Sequence, residues 1–209
     1  MSTKAARESR EARRLATAHQ AAHQAAHPGR SRAIAVVAAV LAVAAAIVAA
    51  MLATSRPQST ATSRTAPGFS LTNTAGAPVS LDTYRGRNVL LYFSEGAGCQ
   101  ACLVQMAEIE KAASQFAALD VTVLPIVMNT REQIMRDMAM NGVRTPFLLD
   151  DGAVSRAYGT LGKGMHGDLP GHSFVLIDRA GRQRWYGEYP SMWLAPSDLL
   201  AEVQKRLSS

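Results

Sequence analysis

Cys99 and Cys102 are the only two cysteines of this 209-residue chain, and they form a single Cys-Gln-Ala-Cys cluster. Two thiols three positions apart at the start of a helix can close into a small disulfide ring and reopen. The unpaired N–H groups and the positive dipole end at a helix start favour negative charge, which lowers the thiolate pKa of the first cysteine. The chemistry this permits is thiol–disulfide exchange. Cys99 is the attacking thiolate, a mixed disulfide forms on it, and Cys102, one turn further in, resolves it. A purely structural bridge closing so short a loop removes little chain entropy and would stabilise poorly.

Such a pair needs a strand to deliver it and a helix to hold it. Val89 to Phe93 is a nearly continuous apolar run, as expected of a central strand buried on both faces, and it ends shortly before the cluster. After the cluster, Leu103, Met106, Ile109, Ala113 and Phe116 recur at helical spacing and predict one helix over 100–118. Phe69 to Leu81 alternates about an Ala-Gly-Ala-Pro turn and reads as a hairpin. Val121 to Met128 is a second buried strand, and Arg131 to Met140 a helix closed by Asn141-Gly142. Phe147 to Leu149 reads as a short strand and Ala153 to Tyr158 as a short helix. A Gly-rich loop from Gly159 to Gly171 leads into a strand over Ser173 to Ile177. A return strand at Gln183 to Tyr186 and a final helix to Leu207, capped by Ser197, complete the pattern. The order implies an α/β fold, a central mixed sheet flanked by helices.

The N-terminal quarter has a different character. Residues 33–53 contain no charge, Pro or Gly. At ~1.5 Å per residue such a stretch approaches the ~30 Å of a hydrocarbon layer. Residues 1–32 carry seven basic side chains against Glu8 and Glu11, so +5 of the chain's net +6 lies there. That concentration argues against a nucleic-acid partner for the rest of the chain. It predicts a single-pass cell-membrane protein with a cytoplasmic N-terminus and an exported remainder. The apolar run is longer than a signal-peptide core, so an uncleaved anchor is the expectation. His19, His23 and His27 recur every fourth residue and read as a solvated tail. The expected organisation is a basic tail over 1–32, a transmembrane helix over 33–53, a flexible Ser/Thr/Pro linker over 54–67 and a globular domain over 68–209.

The globular part resembles the thioredoxin superfamily, in particular its extracytoplasmic redoxin branch of TlpA/ResA-like thiol–disulfide proteins and peroxiredoxins. The resemblance rests on Ala66-Pro-Gly-Phe-Ser-Leu71, Arg85-Gly-Arg-Asn-Val-Leu-Leu-Tyr-Phe93, the CxxC, Pro146-Phe-Leu-Leu-Asp150 and Phe174-Val-Leu-Ile-Asp-Arg-Ala-Gly181, in that order. It implies a thioredoxin-like fold with an N-terminal β-hairpin. It also implies an oxidoreductase acting on protein or small-molecule thiols, with a membrane thiol reductase as electron donor when it reduces.

Three departures bear on the site. Gly98, not Trp, precedes Cys99, and Gln100-Ala101 fill the spacer. The Pro-x-x-x-Thr-x-x-Cys arrangement of peroxiredoxins is not met: counting back from Cys99 gives Gly96 and Tyr92, and from Cys102 gives Cys99 and Glu95. That speaks against a thiol peroxidase, one of two alternatives. The superfamily's cis-Pro loop falls at Pro170 and Gly171, with His172 nearest the proline's own place. His172 is therefore expected opposite the dithiol, as thiolate stabiliser or proton-transfer group. Glu95 could move a proton to Cys102, although it reads as a solvated loop carboxylate. His166 and Asp168 read as solvent-exposed. No cofactor is expected. The second alternative is a copper chaperone of the SCO type, with Cys99, Cys102 and His172 as a soft ligand set.

Overall fold

The computed structural model describes residues 9–19, 28–54, 56–164 and 166–208. The chain divides into two compact units, residues 1–54 and 55–209. In the first, helix α1 covers residues 9–19 and helix α2 runs Pro28–Thr54. The segment Ala33–Ala53 of α2 has a mean hydropathy of 2.9 over its most apolar window, and none of it is buried. It is long and apolar enough to cross a membrane. His19 lies exposed on α1, while His23 and His27 fall outside the described residues.

The second unit is built on eight strands: β1 (Gln58–Thr65), β2 (Ser70–Asn73), β3 (Pro78–Ser80), β4 (Asn88–Phe93), β5 (Val121–Val127), β6 (Leu148–Leu149), β7 (Ser173–Ile177) and β8 (Arg182–Glu188). Their spatial order is β1-β8-β7-β4-β5-β6-β2-β3. β4, β5 and β6 run parallel, β7 lies antiparallel beside β4, and β8 antiparallel beside β7. Helices α3 (Gln100–Lys111), α4 (Ala113–Ala118), α5 (Arg131–Asn141), α6 (Ala153–Ala157) and α7 (Pro196–Leu207) flank the sheet. This is the thioredoxin-like arrangement, with the expected hairpin as β2 and β3.

β4 is buried along its whole length because both faces are covered. Its alternation sorts the core. Leu90 and Tyr92 pack with Phe174, Trp185, α3 and α7 on one face. Val89, Leu91 and Phe93 pack with Phe69, Val175 and Tyr158 on the other. The period of two therefore puts Tyr92 on the side from which α3 and its cysteines approach.

Four expectations are corrected. The segment 54–67 is not a free linker, because Gln58–Thr65 pairs antiparallel with β8. Its exposed positions carry no apolar alternation, but Ser and Thr fit an extended edge. Trp185 Nε1 donates to Ser59 Oγ at 2.9 Å, and Arg64 Nε to Gln183 Oε1 at 2.9 Å, so side-chain bonds supply what apolar packing does not. The globular domain thus begins before residue 68. Helix 100–118 is broken at Ala112, whose N–H still reaches Glu108 O, so little backbone bonding is lost. The last helix is capped by Ala195 with Pro196 in its first turn, not by Ser197; proline needs no N–H partner there. Finally, no cis peptide bond occurs among the described residues, Pro170 included.

Gly187 in β8 marks a close approach, since a Cβ there would stand 2.4 Å from Cζ2 of the buried Trp185. Gly187→Ala is expected to lower unfolding stability by about 1–3 kcal/mol, read from urea denaturation of the full chain in detergent. An unchanged midpoint would mean that the indole has room to move.

Candidate redox site

The link from β4 to α3 is six residues, Ser94 to Cys99, and its backbone is specified position by position. Gly96 adopts φ +72°, and a Cβ there would lie 2.0 Å from Asn129 Oδ1 and 2.7 Å from Val127 Cγ1. Only glycine fits. Ala97 N–H donates to Asn129 Oδ1 at 2.8 Å, and Gly98 N–H, in a residue at φ +89°, donates to Asp137 Oδ2 at 2.8 Å. Gln100 Nε2 donates to Asn141 Oδ1. Thr130 and Gln133 close a reciprocal capping box at the start of α5, which fixes the helix that carries Asp137 and Asn141.

Cys99 is the N-cap of α3. Its backbone is extended, and its Sγ accepts the Cys102 N–H at 3.3 Å. Cys99 and Cys102 form a disulfide with their Cα atoms 5.3 Å apart. The two sulfurs are not equivalent: Cys99 is half-buried, whereas Cys102 is 1% exposed and belongs to the core cluster. An incoming thiolate can approach Cys99 but not Cys102. When the bond opens, Cys99 Sγ keeps an N–H donor and the positive end of a helix, both of which favour its thiolate.

His172 lies at the start of β7 and is 1% exposed. It does not meet the sulfurs directly. Tyr92 OH donates to Cys102 O at 3.1 Å and lies 3.2 Å from His172 Nδ1. The hydroxyl has one proton, so Nδ1 carries the imidazole proton and donates it to the Tyr92 oxygen. Nε2 then holds a lone pair, and it is buried without a partner. Burial among Tyr92 and Phe174 lowers the His172 pKa to about 3. The imidazole is neutral at physiological pH and offers a thiolate no positive charge. The same burial raises the Tyr92 pKa, so its hydroxyl stays protonated.

Glu95 is not a solvated loop carboxylate; it is 3% exposed. Oε1 accepts the His166 N–H at 3.1 Å and Oε2 faces His166 Nδ1 at 2.9 Å. The His166 side chain is largely open to solvent on its other side, and Asp168 is exposed as expected. A Cβ on Gly164 would fall 2.2 Å from Glu95 Oε1, so the glycine-rich loop lies directly on the carboxylate. Pro170 bridges Leu161, and Gly171 N–H donates to Thr160 O at 2.9 Å. Among the described residues no three His, Cys, Asp or Glu side chains gather in a way that could hold a metal ion.

Sequence reading missed Tyr92, Asn129, Asp137 and Asn141. Tyr92 is hidden within an apolar strand. Asp137 and Asn141 stand four apart on one helix face, a spacing that marks a shared polar stripe.

A half-exposed helix-capping cysteine bonded to a buried one, at the end of the central strand of a thioredoxin-like sheet, defines a redoxin site. The chain matches the AhpC/TSA family over residues 62–185, and it belongs to that family. It is 33% identical over 104 residues to Rv2521 of Mycobacterium tuberculosis strain H37Rv, which carries a provisional peroxiredoxin name. That stretch is 49% of this chain and 66% of the relative, so the chain spans just under two thirds of the length of the curated relatives it matches. Among solved structures, Enterococcus faecalis AhpC is similar with a TM-score of 0.62 at 13% identity, covering 70% of this chain and 92% of that one. The Mycobacterium tuberculosis peroxidoxin BcpB gives 0.58 at 18%, covering 71% and 97%. A provisionally named protein disulfide isomerase from Bacteroides thetaiotaomicron gives 0.54 at 23%, covering 70% and 89%. At these identities the structures speak for the fold.

The buried imidazole has a consequence for stability. Between pH 6.5 and about 3 the unfolded chain binds a proton at residue 172 that the folded chain refuses, so stability rises with pH across that window. From pH 7 to pH 5 this group alone should remove about 2 kcal/mol, read by urea unfolding. His172→Phe should lack that portion of the loss; equal pH dependence in both proteins would contradict a buried neutral imidazole.

Proposed function

We propose that this protein is a membrane-anchored, extracytoplasmic thiol–disulfide oxidoreductase whose working pair is Cys99 and Cys102. The observation that carries the reading is the unequal exposure of the two sulfurs at a helix start. A substrate thiolate attacks Cys99 Sγ, the Cys99–Cys102 bond breaks, and Cys102 leaves as thiolate. A second substrate thiolate attacks the substrate sulfur of the mixed disulfide and releases Cys99. Two electrons pass from the substrate dithiol, now a disulfide, to the protein dithiol. Run in reverse, the same steps reduce a substrate disulfide, and the protein must then be re-reduced. A membrane thiol reductase fits that need.

The apolar segment Ala33–Ala53 supports anchoring, and the basic residues before it support a cytoplasmic N-terminus. Together they support a redoxin unit facing outward, where disulfides persist.

Family membership and the peroxiredoxin names of its relatives favour a second reading, reduction of a peroxide by Cys99. There the thiolate attacks one peroxide oxygen, the other leaves as water or alcohol, and Cys102 attacks the resulting sulfenic acid to release water and restore the disulfide. Gly96 and Tyr92 occupy the places where a threonine and a proline would serve the peroxide, which ranks this reading second.

The pairing of roles is tested with insulin disulfide reduction by the full chain in detergent. Cys99→Ser should abolish turnover, and Cys102→Ser should accumulate mixed disulfides on Cys99. Turnover retained in Cys99→Ser reverses the assignment. Peroxide consumption by the wild type, faster than insulin reduction and lost in Cys99→Ser, would move the second reading to first.

A further inference from the structure

The redox loop is held from one neighbouring stretch of the same unit, residues 127–141. Asn129, just past β5, takes the Ala97 N–H; Asp137 of α5 takes the Gly98 N–H; Asn141 of α5 takes the Gln100 side chain. Asn141 is itself fixed, with Nδ2 donating to Asp137 O at 2.8 Å. Four of the five residues from Gly96 to Gln100 are thus set by contacts to this stretch, and Cys99 falls between them in the chain. Of the three acceptors only Asp137 carries charge. Among the described residues it forms no ion pair, unlike Glu95 and Glu108. Glu95 is taken by His166, Glu108 by Lys111, and Glu110 by the Arg144 and Thr145 amides.

We propose that Asp137 is a positioning residue that also sets the redox balance of the pair, by fixing the amide before Cys99 while holding an unneutralised carboxylate one peptide away. The carboxylate oxygen lies 2.8 Å from the amide nitrogen of the residue that precedes Cys99. The disulfide is neutral at sulfur and the dithiol ionises at Cys99. A carboxylate therefore penalises the reduced form and favours the bond. The Gly98 amide, committed to Asp137, is also unavailable to a Cys99 thiolate. The surface-exposed positive helix start and the half-buried negative side chain oppose each other, and the poise of the pair is their difference. The inference rests on the thiol–disulfide reading of Cys99.

The test is the equilibrium of the full chain in detergent with glutathione. The protein disulfide and two glutathione molecules exchange with the protein dithiol and one glutathione disulfide, a transfer of two electrons and two protons. Asp137→Asn keeps an oxygen acceptor and removes the charge; it should shift the constant toward the dithiol about three- to ten-fold. Asp137→Glu should stay within about two-fold of the wild type, and so should Glu132→Gln, an exposed carboxylate of the same helix. Salt at about 1 M, where the screening length is ~3 Å, weakens the carboxylate and the helix end alike, so it should shrink the gap between the wild type and Asp137→Asn. An unchanged constant in Asp137→Asn, an equal shift in Glu132→Gln, or a gap that salt leaves intact overturns the proposal. Failure of the wild type to exchange with glutathione at all would instead remove the underlying reading.

Discussion

The contact on which the site depends is the meeting of a strand's carboxyl end with a helix's amino end across six residues. β4 cannot shift, because it is hydrogen-bonded on both sides and buried on both faces. Helix α3 cannot shift far, because Leu103, Met106 and Ile109 are buried in the core against that strand. The connection between them must therefore bend within a fixed gap. It does so with two glycines at positive φ and with the Ser94, Ala97, Gly98 and Cys99 amides each committed to a partner. The outcome is a disulfide with one accessible sulfur and one enclosed sulfur. That asymmetry decides which of the two sulfurs solvent can reach.

Around this centre the protein uses neutral groups where a sequence reader expects charged ones. His172 sits where an imidazolium would be useful to a thiolate, yet burial keeps it uncharged and turns it toward Tyr92. The Tyr92 hydroxyl in turn holds the carbonyl of Cys102. The chain Nδ1–H to tyrosine oxygen to peptide carbonyl ties the first turn of α3 to the start of β7. Its role in the resting structure is to keep the buried cysteine in place. The charged groups nearby are Asp137, on the Gly98 amide, and two pairs, Glu95 with His166 and Lys163 with Glu188.

Much of this was legible in the chain. The apolar run at Val89 to Phe93 and the strand at Ser173 to Ile177 each reappear within a residue or two of their expected bounds, and the helical spacing after Cys102 reappears as two helices divided at Ala112. These elements announce themselves because burial on one or both faces imposes a period on the residues. What was not legible obeys no period. β1 is a strand by virtue of its partner β8, and its own residues read as a solvated tether. Glu95 is buried because a loop 71 residues away closes over it, which no local pattern encodes. Asp137 and Asn141 face the redox loop only because α5 packs beside α3. The redox pair could be found from spacing, but the groups that tune it are brought together by tertiary packing.

β1 also bears on how copies of this chain behave side by side. It terminates the strand order, so one row of its backbone groups faces outward. A flat, apolar border of that kind invites a neighbouring chain to zip on. Here the border is hydroxyl-rich, carries Arg64, and is kinked by an irregular register between Ala61 and Arg64. Identical molecules crowded together would find little purchase there, and the sheet would remain finite.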